Sequence, residues 1–249
     1  MFFHIIASGS KGNATIIKEN KTVILIDMGI TLTRLKEGLK EIDLSIEDIC
    51  GAFFTHNHAD HISGIRFLSP KIMYGLEGTL PPLCHKMNMF ESTTIGDFKI
   101  TPVPTSHDAT NPCGFIVETK EEKLVYITDT GIMPEETIKW AQNPDYLIIE
   151  SNHDIQMLLA TSRPYELKNR ILSEKGHLCN EDSAIASVSI IGDKTKEIIL
   201  AHLSEEANSP AKALEAYQRI FIHFGKDINQ YNVRAANQWR SLTGGKYEH

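Results

Sequence analysis

At 249 residues and 41% hydrophobic content, the chain is long enough for one large α/β domain over residues 1–249 and somewhat too short to add a second full-sized one. No apolar run approaches the roughly 18 residues needed to cross a bilayer, which argues against membrane insertion. The formal net charge of -7 argues against nucleic-acid binding through overall charge and leaves that role to a local basic groove. Four separated cysteines, Cys50, Cys84, Cys113 and Cys179, suggest neither a disulfide framework nor a thiolate metal site, and a reducing cytoplasm fits them best.

Met1–Ala7 is apolar but lacks the basic and apolar regions of a signal peptide, and it reads as a first strand running into the glycine turn Ser8–Asn13. Ala14–Lys18 and Val23–Ile26 form a hairpin, after which Asp27 stands at a strand's end. Leu32, Leu35, Leu39 and Ile42 recur at helical spacing. Ser45, with Asp48 at capping-box distance, opens a short helix before the strand Ala52–Phe54. That strand delivers Thr-His-Asn-His-Ala-Asp-His, residues 55–61.

Beyond this cluster the spacing predicts a helix over Ile62–Leu68, stopped at Ser69-Pro70, and a strand over Lys71–Tyr74. A hairpin from Ile95 to Thr105, turning at Gly96-Asp97, ends in Ser106-His107-Asp108. A second, Gly114–Glu118 with Lys123–Thr128, ends in Asp129-Thr130-Gly131. Pro134 opens a helix reaching about Trp140. The buried strand Tyr146–Ile149 then runs into Glu150-Ser151-Asn152-His153-Asp154.

Met157–Leu172 reads as helix with a break near Pro164. Arg163, Lys168, Arg170 and Lys175 make it the densest basic region, by default a solvated face. Asn180 is the expected N-cap of a helix to about Ile191. Glu197–Leu200 is a strand ending in Ala201-His202-Leu203-Ser204, Asn208-Ser209-Pro210 starts a helix over Ala211–Phe221, and Tyr231–Arg234 is again strand. The tail after Gly244-Gly245 is expected to be mobile. Hairpins and helix-connected strands together imply a mixed sheet, or a pair of sheets, flanked by helices.

Four ligand-type side chains within six residues, His56, His58, Asp60 and His61, would crowd one another unless a cation organised them. Imidazole with carboxylate suits zinc, manganese or iron. His107, Asp129 and His202 each follow a strand as well, so seven such residues share one topological address. Seven exceed what one tetrahedral ion takes, but they fill two neighbouring sites if one carboxylate bridges. Asp27 would orient a ligand histidine from behind.

This ligand order resembles the metallo-β-lactamase superfamily, with its His-x-His-x-Asp-His motif and later single His, Asp and His. The resemblance implies the four-layer αββα sandwich, one metal held by His56, His58 and His107, a second by Asp60, His61 and His202, and Asp129 bridging both. Within that superfamily, the segments Ser8–Asn13, Ser106–Asp108, Thr128–Gly131, Glu150–Asp154, Gly176–Asp182 and His202–Ser204 resemble the YycJ (WalJ) branch, although Cys179 stands where a serine is expected. The branch consists of bacterial 5′-to-3′ DNA exonucleases linked to mismatch repair. The resemblance therefore implies DNA as substrate and repair proteins as partners.

Two divalent ions, Mn²⁺ or Zn²⁺, would lower the pKa of a bridging water from 15.7 towards about 7 and neutralise phosphoryl charge, which makes Asp60 catalytic as well as a ligand. His177 and His153 are candidates to protonate the leaving oxygen or to bind phosphate. Asn152, Ser204 and Asn208 could contact a phosphate, and Arg163 and Lys168 could line a strand-binding groove. The ligand set alone also suits hydrolysis of a lactam, lactone, thioester or cyclic phosphodiester. A non-hydrolytic iron protein or binding module is a third reading, disfavoured by the complete ligand set.

Overall fold

The computed structural model describes residues 1–246. Its opening is antiparallel: β1 (Phe2–Ala7), β2 (Ala14–Glu19) and β3 (Thr22–Ile26) pair in sequence, and Asn20, at φ 50°, takes part in the reversal between the last two. α1 (Leu32–Lys40), capped by the Thr31 side chain, carries the chain back so that β4 (Ile49–Phe54) pairs parallel to β3. A single-turn helix, α2 (Ala59–Ile62), and two short parallel strands, β5 (Met73–Gly75) and β6 (His85–Lys86), follow.

β7 (Thr93–Ile95), β8 (Phe98–Pro104), β9 (Cys113–Glu118) and β10 (Lys123–Ile127) then form an antiparallel run. α3 (Glu135–Ala141) leads to β11 (Tyr146–Glu150), parallel to β10. α4 (Ile155–Ala160), α5 (Tyr165–Leu172) and α6 (Asn180–Ile190) precede β12 (Glu197–Ala201), and α7 (Pro210–His223) precedes β13 (Asn232–Ala235), both strands again parallel. β14 (Leu242–Gly245) returns to pair antiparallel with β1. The result is two mixed sheets, ordered β14-β1-β2-β3-β4-β5-β6 and β13-β12-β11-β10-β9-β8-β7.

The period-2 geometry of a strand explains the layering. Phe3, Ile5, Ile24 and Ile26 of the first sheet meet Tyr126, Tyr146, Ile148 and Ile199 of the second in one central core. Their neighbours Phe2, Ile6, Val23 and Leu25 face the other way, against Leu35 and Leu39 of α1. On the far side Val125, Ile127, Leu147 and Ile149 pack with Ala184 and Ile190 of α6 and Tyr217 and Phe221 of α7. Helix, sheet, sheet and helix thus form the αββα sandwich, with three apolar interfaces.

Three local expectations are corrected. The helix near residue 62 begins earlier and ends sooner, since α2 spans Ala59–Ile62 and only a 3₁₀ turn follows at Ile65–Phe67. Gly64 explains the stop: its N–H donates to the Met28 carbonyl at 2.8 Å, and a Cβ there would lie 2.6 Å from the Ile30 oxygen. Cys179, not Asn180, is the N-cap of α6, and Asn180 is the first helical residue, wholly buried. Gly244-Gly245 belong to the edge strand β14, and the Lys246 N–H donates to the Met1 carbonyl at 2.9 Å. Residues 247–249 of the tail expected to be mobile lie outside the described residues.

Candidate metal centre

The ligand-type residues gather where strands of both sheets end. Asp27 follows β3, Thr55 and His56 follow β4, Asp129 lies two residues beyond β10, and His202 follows β12. Asp27, Asp129 and His202 have φ of 59°, 56° and 53°. Left-handed backbone is uncommon outside glycine, and here it turns three polar side chains off their strands at one place. The cost is borne by well-packed strands on either side.

Four donor groups come together, each with its ligand atoms within 4.8 Å of one another: His56, His58 and His107; His56, His61 and Asp129; Asp60, His61 and His202; and Asp129, Glu150, His177 and His202. All seven residues of the expected ligand set are among them. Asp129 faces both ends of the cluster, with Oδ2 3.2 Å from His61 Nε2 and Oδ1 3.8 Å from His107 Nε2. His61 Nε2 and His202 Nε2 lie 3.5 and 3.6 Å from Asp60 Oδ2.

The outward nitrogens of these rings are tied to the protein. His107 Nδ1 donates to the Gly176 carbonyl at 3.0 Å, His61 Nδ1 meets Asp27 Oδ2 at 2.7 Å, and His202 Nδ1 meets Glu150 Oε1 at 2.9 Å. Tying Nδ1 in this way leaves Nε2 for a metal and fixes the ring plane. Asp27 is itself gripped by Thr55, whose N–H donates at 2.9 Å. Asn13 Nδ2 approaches His61 Nε2 at 3.1 Å, so the glycine turn braces the site from the first sheet.

His56 Nε2 and His202 Nε2 are buried with no hydrogen-bond partner. Leaving such a group unpaired costs roughly 1–3 kcal/mol, a penalty that a bound cation removes. The charges agree with that fit. Burial opposes a charged ring at His202, but Asp129, Asp60 and Glu150 outweigh it and raise its pKa to about 10. At His61 burial is likewise overcome, by Asp27 and Asp129, and its pKa is raised. His56, by contrast, is pushed down to about 2 by burial and by neighbouring histidines, so it offers a free lone pair. The donor set is therefore suited to divalent cations.

Glu150 was absent from the residues expected at the site. Its carboxylate is fully buried, and Oε1 accepts from both His177 Nδ1 at 2.8 Å and His202 Nδ1 at 2.9 Å. Oε2 accepts from the N–H groups of Thr130 at 2.9 Å and Leu178 at 3.2 Å. Burial would raise its pKa, but the charge of His177 and the hydrogen bonds from His177 and His202 hold it at about 2. The signal was available in its position, since Glu150 closes a buried strand just as Asp27 and Asp129 follow theirs.

A cleft of about 310 Å³ opens over the cluster, walled by His58, Asp60, His107, Asp129, His177 and His202 and by Asn152, Arg163, Arg170 and Ser204. Asn152 Nδ2 donates to the His202 carbonyl at 2.9 Å. Arg163 pairs with Glu206 at 2.9 Å, while Arg170 forms a two-pronged pair with Asp108 at 2.5 and 3.0 Å. Asp108 Oδ1 in turn lies 3.4 Å from His107 Nε2, a link from basic rim to ligand that the sequence reading had not drawn.

Three residues expected to bind substrate do not line this cleft. Lys168 places its ammonium on the Leu159 and Thr161 carbonyls at 2.7 and 2.8 Å, capping the C-terminal end of α4. Asn208 is buried and donates to the Ser151 carbonyl at 2.8 Å and to Asn180 Oδ1 at 2.9 Å. His153 is 1% exposed, and burial drives its pKa down to about 4. It is bridged to Cys179, the N-cap of α6, and is not among the residues lining the cleft.

The family described as "Beta-lactamase superfamily domain" matches residues 22–224. Exodeoxyribonuclease YycJ of Bacillus anthracis is 34% identical over 244 residues, which cover 92% of each chain. Exodeoxyribonuclease WalJ of Streptococcus pneumoniae serotype 2 is 35% identical over 222 residues, 83% of this chain and 82% of that one. Among solved structures, the metallo-β-lactamase fold protein YhfI from Bacillus subtilis superposes with a TM-score of 0.70 at 16% identity, covering 98% of this chain and 100% of its own, which supports the fold. With the sandwich, the strand-end cluster and these relatives in agreement, the chain belongs to the metallo-β-lactamase superfamily, in its YycJ/WalJ branch, and is a metal-dependent hydrolase.

Proposed function

We propose that the protein is a DNA exonuclease of 5′-to-3′ polarity that works with two divalent metal ions, Mn²⁺ or Zn²⁺, in a single domain spanning the chain. The observation that carries this reading is the sharing of Asp129 between donor groups on the floor of a cleft whose rim holds Arg163 and Arg170. His56, His58 and His107 would hold one ion and Asp60, His61 and His202 the other, with Asp129 between them. Bound there, the ions would supply a water of lowered pKa and neutralise charge on the phosphoryl oxygens.

The protein's own groups do the rest. Asp27 and Glu150 fix the tautomer of His61 and His202, so Nε2 of each stays aimed inward. His177 has its Nδ1–H committed to Glu150, and the proton it delivers to the leaving oxygen is the one at Nε2. Asn152 and Ser204, at the cleft wall, position a phosphate, and Arg163 attracts the strand. Free cysteines throughout the chain accord with action in the cytoplasm. A role in mismatch repair, with repair proteins as partners, is part of the same proposal and is supported by the resemblance to the YycJ/WalJ branch.

Digestion of a DNA duplex labelled at the 5′ end, beside one labelled at the 3′ end, tests the reading. We expect metal-dependent early release of the 5′ label as mononucleotide; loss of the 3′ label first would overturn the polarity. The cleft volume of about 310 Å³ also suits a small substrate. Hydrolysis of a cyclic phosphodiester or lactone with no action on DNA would favour that second reading.

A further inference from the structure

The metal cleft continues past its rim. Ser204 is shared with a hollow of about 270 Å³, and that hollow shares Gln238 and Trp239 with another of about 630 Å³. The glycine turn follows the same path, with Ser10 in the metal cleft and Lys11 in the farthest hollow. Three hollows joined by common wall residues make one track leading from the metal centre.

Its far end has an unusual lining. Trp239 is 58% exposed and Phe67 37%. The tryptophan is nonetheless fixed: Arg34 donates to its carbonyl at 2.8 Å, its indole N–H donates to Glu205 at 2.6 Å, and the Lys11 ammonium sits 5.2 Å from the ring centroid. Glu205 also pairs with Lys11 at 2.6 Å, tying lysine and indole into one unit. Arg66 lies over Phe67 at 4.8 Å. Lys11, Arg34 and Arg66 line this hollow together with one carboxylate, Glu37, and a second carboxylate, Glu205, lines the adjoining hollow as the partner of Lys11.

Exposed aromatic rings interleaved with cations suit single-stranded nucleic acid, since bases stack on the rings while the cations meet phosphates. We infer that the track carries a single strand of the DNA substrate away from the metal centre, with bases on Trp239 and Phe67 and phosphates at Lys11 and Arg66. This rests on the nuclease reading above.

The chain has two tryptophans, so Trp140→Phe leaves Trp239 as the only tryptophan, read by excitation at the red edge where tyrosine does not absorb. The metal-loaded variant is titrated with cleavage-resistant phosphorothioate oligothymidylates of two and twelve nucleotides. Quenching by the 12-mer should set in at a concentration about tenfold or more below that of the dinucleotide. Adding Arg66→Gln should lower the slope of log affinity against log salt by roughly 0.7. Equal response to both lengths, with unmodified DNA still degraded, would overturn the track and leave the nuclease standing. Quenching by polyglutamate as strong as by DNA would overturn it in favour of an acidic protein segment. Hydrolysis of a small diester with no degradation of DNA would remove the nuclease reading and the track together.

Discussion

At the residue scale, two buried carboxylates behind the ligands bear the orienting load. Asp27→Ala frees His61 Nδ1 and Glu150→Gln weakens the hold on both His177 and His202. Each is expected to lower metal affinity or turnover by roughly 10- to 100-fold while the circular dichroism spectrum stays native. The clustering itself was legible, since His56, His58, Asp60 and His61 lie within six residues and the other members of the donor groups, His107, Asp129 and His202, follow strands. Glu150 carried the same strand-end signal, but its two histidine partners come from the meeting of β11, β12 and the loop before α6, which no local spacing encodes. The buried partners of Asn208 were not legible, because a residue just before a helix looks the same in sequence whether its side chain faces solvent or a buried amide.

At the scale of elements, the motif loop is pressed against the strand-end turn after β3. A Cβ on Gly29 would fall 1.5 Å from the Asp60 carbonyl oxygen, and that atom belongs to the backbone of α2. Gly29→Ala must therefore displace the loop carrying Asp60 and His61. Thermal denaturation and elemental analysis should find it destabilised by more than about 2 kcal/mol and depleted in metal, where an ordinary surface substitution costs within about 0.5 kcal/mol. The hairpins and the strands β10 to β12 were readable because their alternation or continuous apolar character is local. The short α2 and the edge strand β14 were not, because Gly64 ends the first through a contact with Met28 and β1 recruits the second from the other end of the chain.

For the whole molecule, the net charge of -7 coexists with a hollow that gathers Lys11, Arg34 and Arg66 and with a cluster of histidines and carboxylates at the strand ends, so local charge differs from charge total. One acidic group also links distant parts of the chain. Glu122 is 7% exposed; burial would raise its pKa, but the Met1 amino group, Lys196 and Tyr146 hold it at about 2, below the ordinary 4.5. A depressed folded pKa means stability that is present above about pH 4.5 and is lost as pH falls towards 2. The contribution is on the order of 2 kcal/mol at neutral pH. Melting temperatures measured across that window should fall more steeply for the wild type than for Glu122→Gln.

Titrating metal-stripped protein with Mn²⁺ or Zn²⁺ while following both bound metal and DNA degradation tests most directly the proposal that two ions, held by the donor groups around Asp129, would support phosphodiester cleavage. We expect activity to rise with the second equivalent in the wild type, and Asp60→Ala to retain its fold, bind about one ion and lose turnover. Full activity at one ion per chain, or undiminished activity in Asp60→Ala, would contradict the account.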